Sequence, residues 1–268
     1  MRYQAEDHVF VICAYKESPY LEACIRSLER QTVPSSVMIA TSTPSPFLEA
    51  AARRHGIRIA IREGKPDIAE DWNFGIGIAE RMLVTLAHQD DIYQPHYLEQ
   101  MLRVLNAADH PLIGFSDYYE IRGKNRIFWK RSVNLAVKKA GLAPLGIKAL
   151  QSRIFVRRAV LSLGCMICCP SVIYVKDHLP ADLFERGLMA DLDWAAWERI
   201  SRMPGDFCYV PRPLMGHRIH GESTTTRVIG EKADRSAEDI RIYRRFWPEP
   251  VAAFLNRLYA VSQKGNRM

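Results

Sequence analysis

His88, Gln89, Asp90 and Asp91 stand together where the apolar run Leu83-Val84-Thr85-Leu86-Ala87 stops. No Lys or Arg lies between Arg81 and Arg103, so the two adjacent carboxylates repel each other unless a cation or hydrogen-bond donors hold them. Such a pair of oxygen ligands suits a hard divalent ion. The plainer reading is a pair that caps the turn ahead of Pro95. Cys165-x-x-Cys168-Cys169 has a thiol spacing that zinc sites use, but no second Cys or His pair follows at finger spacing. These cysteines, with Cys13, Cys24 and Cys208, fall mostly in apolar runs and read as reduced core thiols of a cell interior.

The elements that must position these residues alternate. Val9 to Ala14 reads as a strand, and Leu21, Cys24, Ile25 and Leu28 then recur on one helix face. Val37 to Ala40 is the next strand and Pro46 to His55 the next helix, closed before Gly56. Ile57 to Ile61 follows as a strand and Ile68 to Met82 as a helix. The run ending at His88 is then a buried strand, which places the two carboxylates at a strand's carboxyl end, where open α/β sheets bind ligands. Pro95 to Ala108 is helical and Leu112 to Phe115 a further strand. This alternation predicts right-handed βαβ units and a mainly parallel sheet. After Tyr118 the pattern degrades into a basic region, strand-like Ser171 to Val175, a helix from Asp193 to Met203, and two short runs around Tyr209 and Met215. Gly75-x-Gly77 lies inside a helical pattern, and neither a dinucleotide fingerprint nor a P-loop is present.

Composition bounds the function. With 268 residues, 48% apolar and 25% charged, the chain can bury a sizeable core. No apolar stretch is long enough to span a bilayer, and the polar start, Met1 to His8, is unlike a signal peptide, so a cytosolic protein is expected. The net charge of +7 comes from one place: Ile121 to Lys176 holds twelve Lys and Arg and no Asp or Glu, against 25 basic and 30 acidic residues elsewhere. Such a block points to an anionic partner or forms a solvated basic face.

Five pieces, in this order, resemble family 2 glycosyltransferases of the GT-A fold. They are Val11 to Glu17, the helix bearing Asn73, the His88-Gln89-Asp90-Asp91 strand end, Leu192-Asp193-Trp194, and Arg218-Ile219-His220-Gly221-Glu222-Ser223-Thr224. The likeness implies an α/β, Rossmann-like fold with a mainly parallel central sheet flanked by helices. It implies a GT-A domain over residues 1–225, with a nucleotide-sugar half (1–118) and an acceptor half (119–225). A basic, helical C-terminal extension over 226–268 follows from the rest of the reading.

The resemblance assigns Ala14, Tyr15 and Glu17 to the nucleotide pocket. Thr41, Ser42 and Thr43 stand where the family has acidic residues that meet the base, and hydroxyls can still hydrogen-bond a pyrimidine edge. Asn73 matches a helix residue facing the nucleoside. The Asp-x-Asp signature aligns with His88-Gln89-Asp90, with His in place of the first Asp, and the resemblance assigns these three residues to the nucleotide-sugar. His88 is expected to meet the ribose or to ligate a softer metal, the alternative being a strand-end His satisfied by backbone. Asp90, Asp91 and His220 are then expected to hold Mn²⁺ or Mg²⁺ against the donor's diphosphate, with Arg218 beside them on phosphate. Asp193 matches the second member of the family's acid pair, with Leu192 in place of Glu, and is expected to be the general base of an inverting displacement. Asp191 is its rival, and plain N-capping the structural alternative.

The resulting expectation is transfer of a sugar from a UDP or dTDP donor to a glycan or polyprenyl-linked acceptor in cell-surface polysaccharide synthesis. A nucleotidyltransferase lacks its Gly- and Arg-rich loop here. The competing class is a non-catalytic GT-A-like sugar- or nucleic-acid-binding protein; no nucleic acid is expected, because exposed stacking aromatics beside the basic residues are few. Basic residues alternate with apolar ones between Lys138 and Arg158, and the tail repeats the theme with Arg241, Tyr243, Arg244, Arg245, Phe246 and Trp247. Both segments are expected to meet the inner leaflet of the membrane.

Overall fold

Strand β1 (His8–Ala14) sorts the core into two layers. Val9 and Val11 enter one apolar cluster and Phe10, Ile12 and Ala14 the other, as the two-residue period of a strand requires. Around it the chain alternates through α1 (Leu21–Glu29), β2 (Ser36–Thr41), α2 (Pro46–His55), β3 (Arg58–Ile61), α3 (Ile68–Gly77) and β4 (Leu83–His88). It continues through β5 (Ile92–Tyr93), α4 (Tyr97–Asn106), β6 (Pro111–Arg122), β7 (Asn125–Ile127), α5 (Val133–Leu142), α6 (Lys148–Gln151) and α7 (Ile154–Leu161). Last come β8 (Val172–Val175), α8 (Leu192–Ser201), β9 (Asp206–Ile219), α9 (Lys232–Tyr243) and α10 (Glu249–Lys264). The computed structural model describes residues 2–221 and 232–264.

The strands form one sheet in the order β3-β2-β1-β4-β8-β6-β9-β5, with β7 paired to β6. From β3 to β4 every pairing is parallel, as the alternation predicts. Beyond β4 the sheet is mixed: β8 runs antiparallel between β4 and β6, while β9 lies parallel to β6 and antiparallel to β5. Helices α1, α2 and α4 cover one face through Leu21, Ile25, Leu48, Leu98 and Met101, and α3, α7 and α8 cover the other.

Local chemistry explains the boundaries. Ser45 accepts the Leu48 N–H, Pro46 opens α2, and Gly56, at φ 63°, closes it in the left-handed region. Asp67 caps α3 in the same way through the Glu70 N–H. That helix stops at Gly77 rather than Met82. Strand β6 is twelve residues long rather than four, and the two runs at Tyr209 and Met215 are one strand, β9, of fourteen.

The basic stretch from Lys138 to Arg158 is not one amphipathic helix but the end of α5, then α6 and most of α7. Within it Arg157 is buried on the carbonyls of Met203 and Gly205, and Arg158 pairs with Glu198. The tail also turns inward. Arg241 and Arg245 pair with Glu185, Arg244 with Glu249, Tyr243 is buried, and the Trp247 indole N–H donates to the Ser162 carbonyl. Trp194 of α8 packs against Tyr243, Phe246 and Tyr259, so α9 and α10 complete the second layer. Among the described residues no helix is long and apolar enough to cross a membrane.

Candidate active site

Parallel pairing sets Cys13 of β1 beside His88 of β4, so Ala14-Tyr15 and His88 to Asp91 leave the sheet side by side. The Gln89 amide N–H donates to the Tyr15 carbonyl at 2.8 Å and ties the two exits together. Lys16, next along, holds φ at 57°, a conformation rare for a residue with a Cβ, and its N–H bonds the Thr43 hydroxyl at 2.6 Å. Tyr15 and Glu17 are exposed at this rim, with the Lys16 ammonium over the Tyr15 ring.

The chain then reverses. Ile92 and Tyr93 pair antiparallel with Gly216 and Met215, which brings the end of β9 against the two carboxylates. Asp91 is fully buried and accepts the Arg218 backbone N–H at 2.8 Å and a bond from His217 Nδ1 at 3.1 Å. Asp90 Oδ2 lies 2.7 Å from His220 Nε2, and the Arg218 side chain donates from Nε to the Asp90 carbonyl while its guanidinium stacks on Tyr20. No Asp or Glu among the described residues pairs with the Arg218 guanidinium.

Ligand atoms of His88, Asp90 and Asp91 lie within 4.8 Å of one another. Two buried atoms here lack partners among the described residues, His88 Nε2 and the Gln89 side-chain oxygen. Burial lowers the His88 pKa despite the nearby Asp91 and Asp90 charges, so the ring is neutral and offers a lone pair. Buried polar atoms without partners are rare, and such a mixed nitrogen and oxygen donor set fits a divalent cation.

The expected nucleotide residues divide. Thr41 and Ser42 are buried and spent locally: the Thr41 hydroxyl accepts the Thr43 N–H, and Ser42 donates to Asp71 at 2.8 Å. Asp71, on α3, is the carboxylate that holds the Ser42 hydroxyl, and Arg62 donates to it at 2.6 Å. Asn73 does not present a free amide to a nucleoside. It donates to the Phe184 carbonyl at 2.8 Å and accepts the Phe184 N–H at 2.9 Å, and so clamps the segment leading to α8.

At the start of α8 the two candidate bases part company. Asp193 is half-buried, accepts the Trp194 N–H at 2.8 Å and takes a weak S–H bond from Cys165. Burial raises its pKa, countered by the Lys138 charge and the Trp194 N–H, and it acts electrostatically on His88. Asp191 is fully buried, and its pKa is driven well up by burial and by the Asp239 carboxylate to which it hydrogen-bonds. It therefore retains a proton and is spent on α9. The neighbouring Glu238 carboxylate accepts the N–H groups of Met189, Ala190 and Asp191, which fixes the turn before α8.

His217, Tyr20, Asp71 and Arg62 were not among the expected site residues. A spacing of three from His217 to His220 at a strand end was the available signal for the first. Glu222, Ser223 and Thr224 of the late motif lie outside the described residues.

A Rossmann-like sheet whose β4 ends in a carboxylate pair met by an Arg and two His defines a nucleotide-sugar transferase of the GT-A type. The model of glycosyltransferase-like family 2 matches residues 7–241, and the chain belongs to that family. It is 22% identical over 265 residues to an uncharacterized glycosyltransferase of Haemophilus influenzae, covering 92% of this chain and 74% of that one. Among solved structures it is similar to Staphylococcus aureus TarS 1–349 in complex with UDP-GlcNAc. That match has a TM-score of 0.58 at 12% identity, covering 93% of this chain and 70% of that one. It is also similar to Mycobacterium tuberculosis glucosyl-3-phosphoglycerate synthase in complex with Mn²⁺, UDP and glucosyl-3-phosphoglycerate. Here the TM-score is 0.59 at 15% identity, covering 89% and 79%. At these identities the two structures establish the shared GT-A fold.

Proposed function

We propose that this glycosyltransferase moves a sugar from UDP or dTDP, with inversion, to a hydroxyl of a glycan or lipid-linked acceptor in cell-surface polysaccharide synthesis. The observation that carries the reading is the meeting of His88, Asp90 and Asp91 with Arg218 and His220 at one sheet edge, within electrostatic reach of Asp193. Ala14, Tyr15, Glu17 and Gln89 form the nucleotide rim, with the buried Thr41-Ser42 turn and Asp71 behind it. Both similar solved structures carry uridine nucleotides, which favours UDP.

His88, Asp90, Asp91 and His220 would hold Mn²⁺ or Mg²⁺, and the imidazoles favour Mn²⁺. When bound, the ion supplies positive charge against the donor's diphosphate. Arg218 adds a fixed cation at the same diphosphate and needs no reorganisation as the leaving group gains charge. Asp193 accepts the proton of the acceptor hydroxyl as that oxygen attacks the anomeric carbon. Its raised pKa makes it a stronger base than an exposed Asp, and Cys165 and the Trp194 N–H hold its orientation. Residues 1–118 act as the donor half and 119–225 as the acceptor half. Exposed Phe128, Trp129 and Val133 beside Lys130 and Arg131 suit contact with an anionic inner leaflet.

Calorimetric titration with UDP, dTDP and GDP, each with Mn²⁺, with Mg²⁺ and with chelator, tests the donor reading. Metal-dependent binding of UDP or dTDP that disappears in Asp90→Ala is expected. No binding of any nucleotide would move the chain to a non-catalytic, GT-A-like binding role.

A further inference from the structure

Three histidines meet at the sheet edge, and they are not held alike. His217 Nδ1 bonds Asp91 and His220 Nε2 bonds Asp90. His88 makes no hydrogen bond through its ring among the described residues: Nε2 is buried without a partner, and Nδ1 stands 3.9 Å from Asp91 Oδ2, beyond hydrogen-bond range. A liganding histidine is normally oriented by a hydrogen bond to the nitrogen that the metal does not take. Another contact must therefore fix the plane of this imidazole.

Trp72 of α3 stands against it, with ring centroids 5.2 Å apart and planes 30° from parallel. Phe184 meets the same indole edge-on, at 4.9 Å between centroids and 75° between planes. Phe184 is pinned in turn by the two Asn73 bonds, so Trp72 and Asn73, neighbours on α3, belong to one wall. Trp194, Trp197 and Trp247 donate their indole N–H groups to backbone carbonyls, whereas no such bond holds Trp72 among the described residues. What Trp72 gives the site is its ring, in the geometry that aromatic pairs prefer.

We infer that Trp72 is a positioning residue: its indole, backed by Phe184, fixes the His88 imidazole and so sets the preference of the site for a metal that accepts nitrogen. This rests on the metal reading above and names a determinant of that same site. Without the wall the imidazole turns about its Cβ–Cγ bond with no hydrogen bond to lose, and a ligand that must be reoriented at each binding event binds more weakly. Mn²⁺ takes imidazole readily, whereas Mg²⁺ prefers carboxylate and water. Removal of the Trp72 ring therefore weakens Mn²⁺ and spares Mg²⁺.

The test titrates Mn²⁺ and Mg²⁺ onto the full chain, with and without saturating UDP. Trp72→Leu is expected to weaken Mn²⁺ by about tenfold or more while changing Mg²⁺ by less than about threefold. Trp72→Phe, which keeps an aromatic face, retains most of the Mn²⁺ affinity. Trp72→Leu combined with His88→Asn is expected to be no weaker than His88→Asn alone, because both changes remove the same ligand. Equal losses for the two ions in Trp72→Leu, or losses that add in the double variant, overturn the inference and leave Trp72 as core packing. If Trp72→Leu does not fold, Phe184→Leu, which removes the ring behind the indole, takes its place, and wild-type Mn²⁺ affinity there overturns the inference. A second readout uses the metal-free protein: one set of His88 ring resonances, displaced by the Trp72 ring current, that averages toward free histidine in Trp72→Leu. If the wild type binds neither ion, the metal reading fails. These resonances then still decide whether Trp72 orients His88: averaging upholds the orienting role, and no change overturns it.

Discussion

His217 Nδ1 lies 3.1 Å from Asp91 Oδ1, behind the strand end that carries His88, Asp90 and Asp91. Burial alone would lower the imidazole pKa, but the Asp91 charge and the hydrogen bond raise it to about 9. The pair is thus imidazolium and carboxylate at neutral pH. Asp91 is thus held by His217 inside the protein, while Asp90 Oδ2 is held by His220 Nε2.

Asp91→Asn is accordingly expected to damage the fold more than the corresponding change at Asp90. It strands a buried cation and weakens the bond to the Arg218 N–H, a loss of about 3 kcal/mol. Urea denaturation checks this: a midpoint equal to that of the wild type would mean that the pair contributes nothing.

The same pair sets an alkaline limit. The folded pKa of His217, about 9, exceeds the ordinary value of about 6.5 that an unfolded chain restores. Its stabilisation is therefore complete below about pH 6.5 and fades as pH rises through about 9. Melting temperature should fall across this window in the wild type and stay flatter in His217→Gln, relative to each protein's own value at pH 6. Parallel curves for the two proteins would rule the pair out as the source.

Asp193→Asn should lower kcat by about 10² to 10⁴ while leaving UDP affinity within about twofold. Asp191→Asn keeps a neutral side chain where the wild type already holds a proton, so its turnover should stay near normal. Initial rates of UDP release with a working acceptor separate the two. The reverse ranking would reassign the base to Asp191.

Asn73→Ala removes both bonds that fix Phe184 and should cost about 1–3 kcal/mol. Asn73→Asp keeps the acceptor for the Phe184 N–H but sets a carboxylate oxygen against the Phe184 carbonyl, so its cost is of similar size. Hydrogen exchange at the Phe184 amide reads this directly: accelerated exchange is expected in the Ala variant, and unchanged protection would refute the clamp.

The first four strands and their helices were legible because their signals are local. Ser45, Pro46 and Gly56 bound α2, and Leu98, Met101, Leu102 and Leu105 form one buried face of α4. The length of β6 was hidden because Ser116, Asp117 and Glu120 interrupt its apolar run. Their polarity is answered by distant partners, Tyr209 and Lys139 for Asp117, and by Arg122 for Glu120. In β9, Pro211 and Pro213 break the pattern where the β6–β9 register shifts. The His88-Gln89-Asp90-Asp91 strand end was legible as a motif. The occupation of Asn73 by Phe184 and the pairing of Asp191 with Asp239 were not, because each joins residues dozens of positions apart.

The β5–β9 pairing also has a temporal meaning. Asp90 and Asp91 leave the ribosome more than a hundred residues before Arg218 and His220. Until β9 inserts between β6 and β5, the carboxylates lack the N–H groups and imidazoles that steady them. The turn before α8 waits longer still, for Glu238. The strand end at Asp90 and Asp91 therefore acquires its partners only once β9 has been made and inserted.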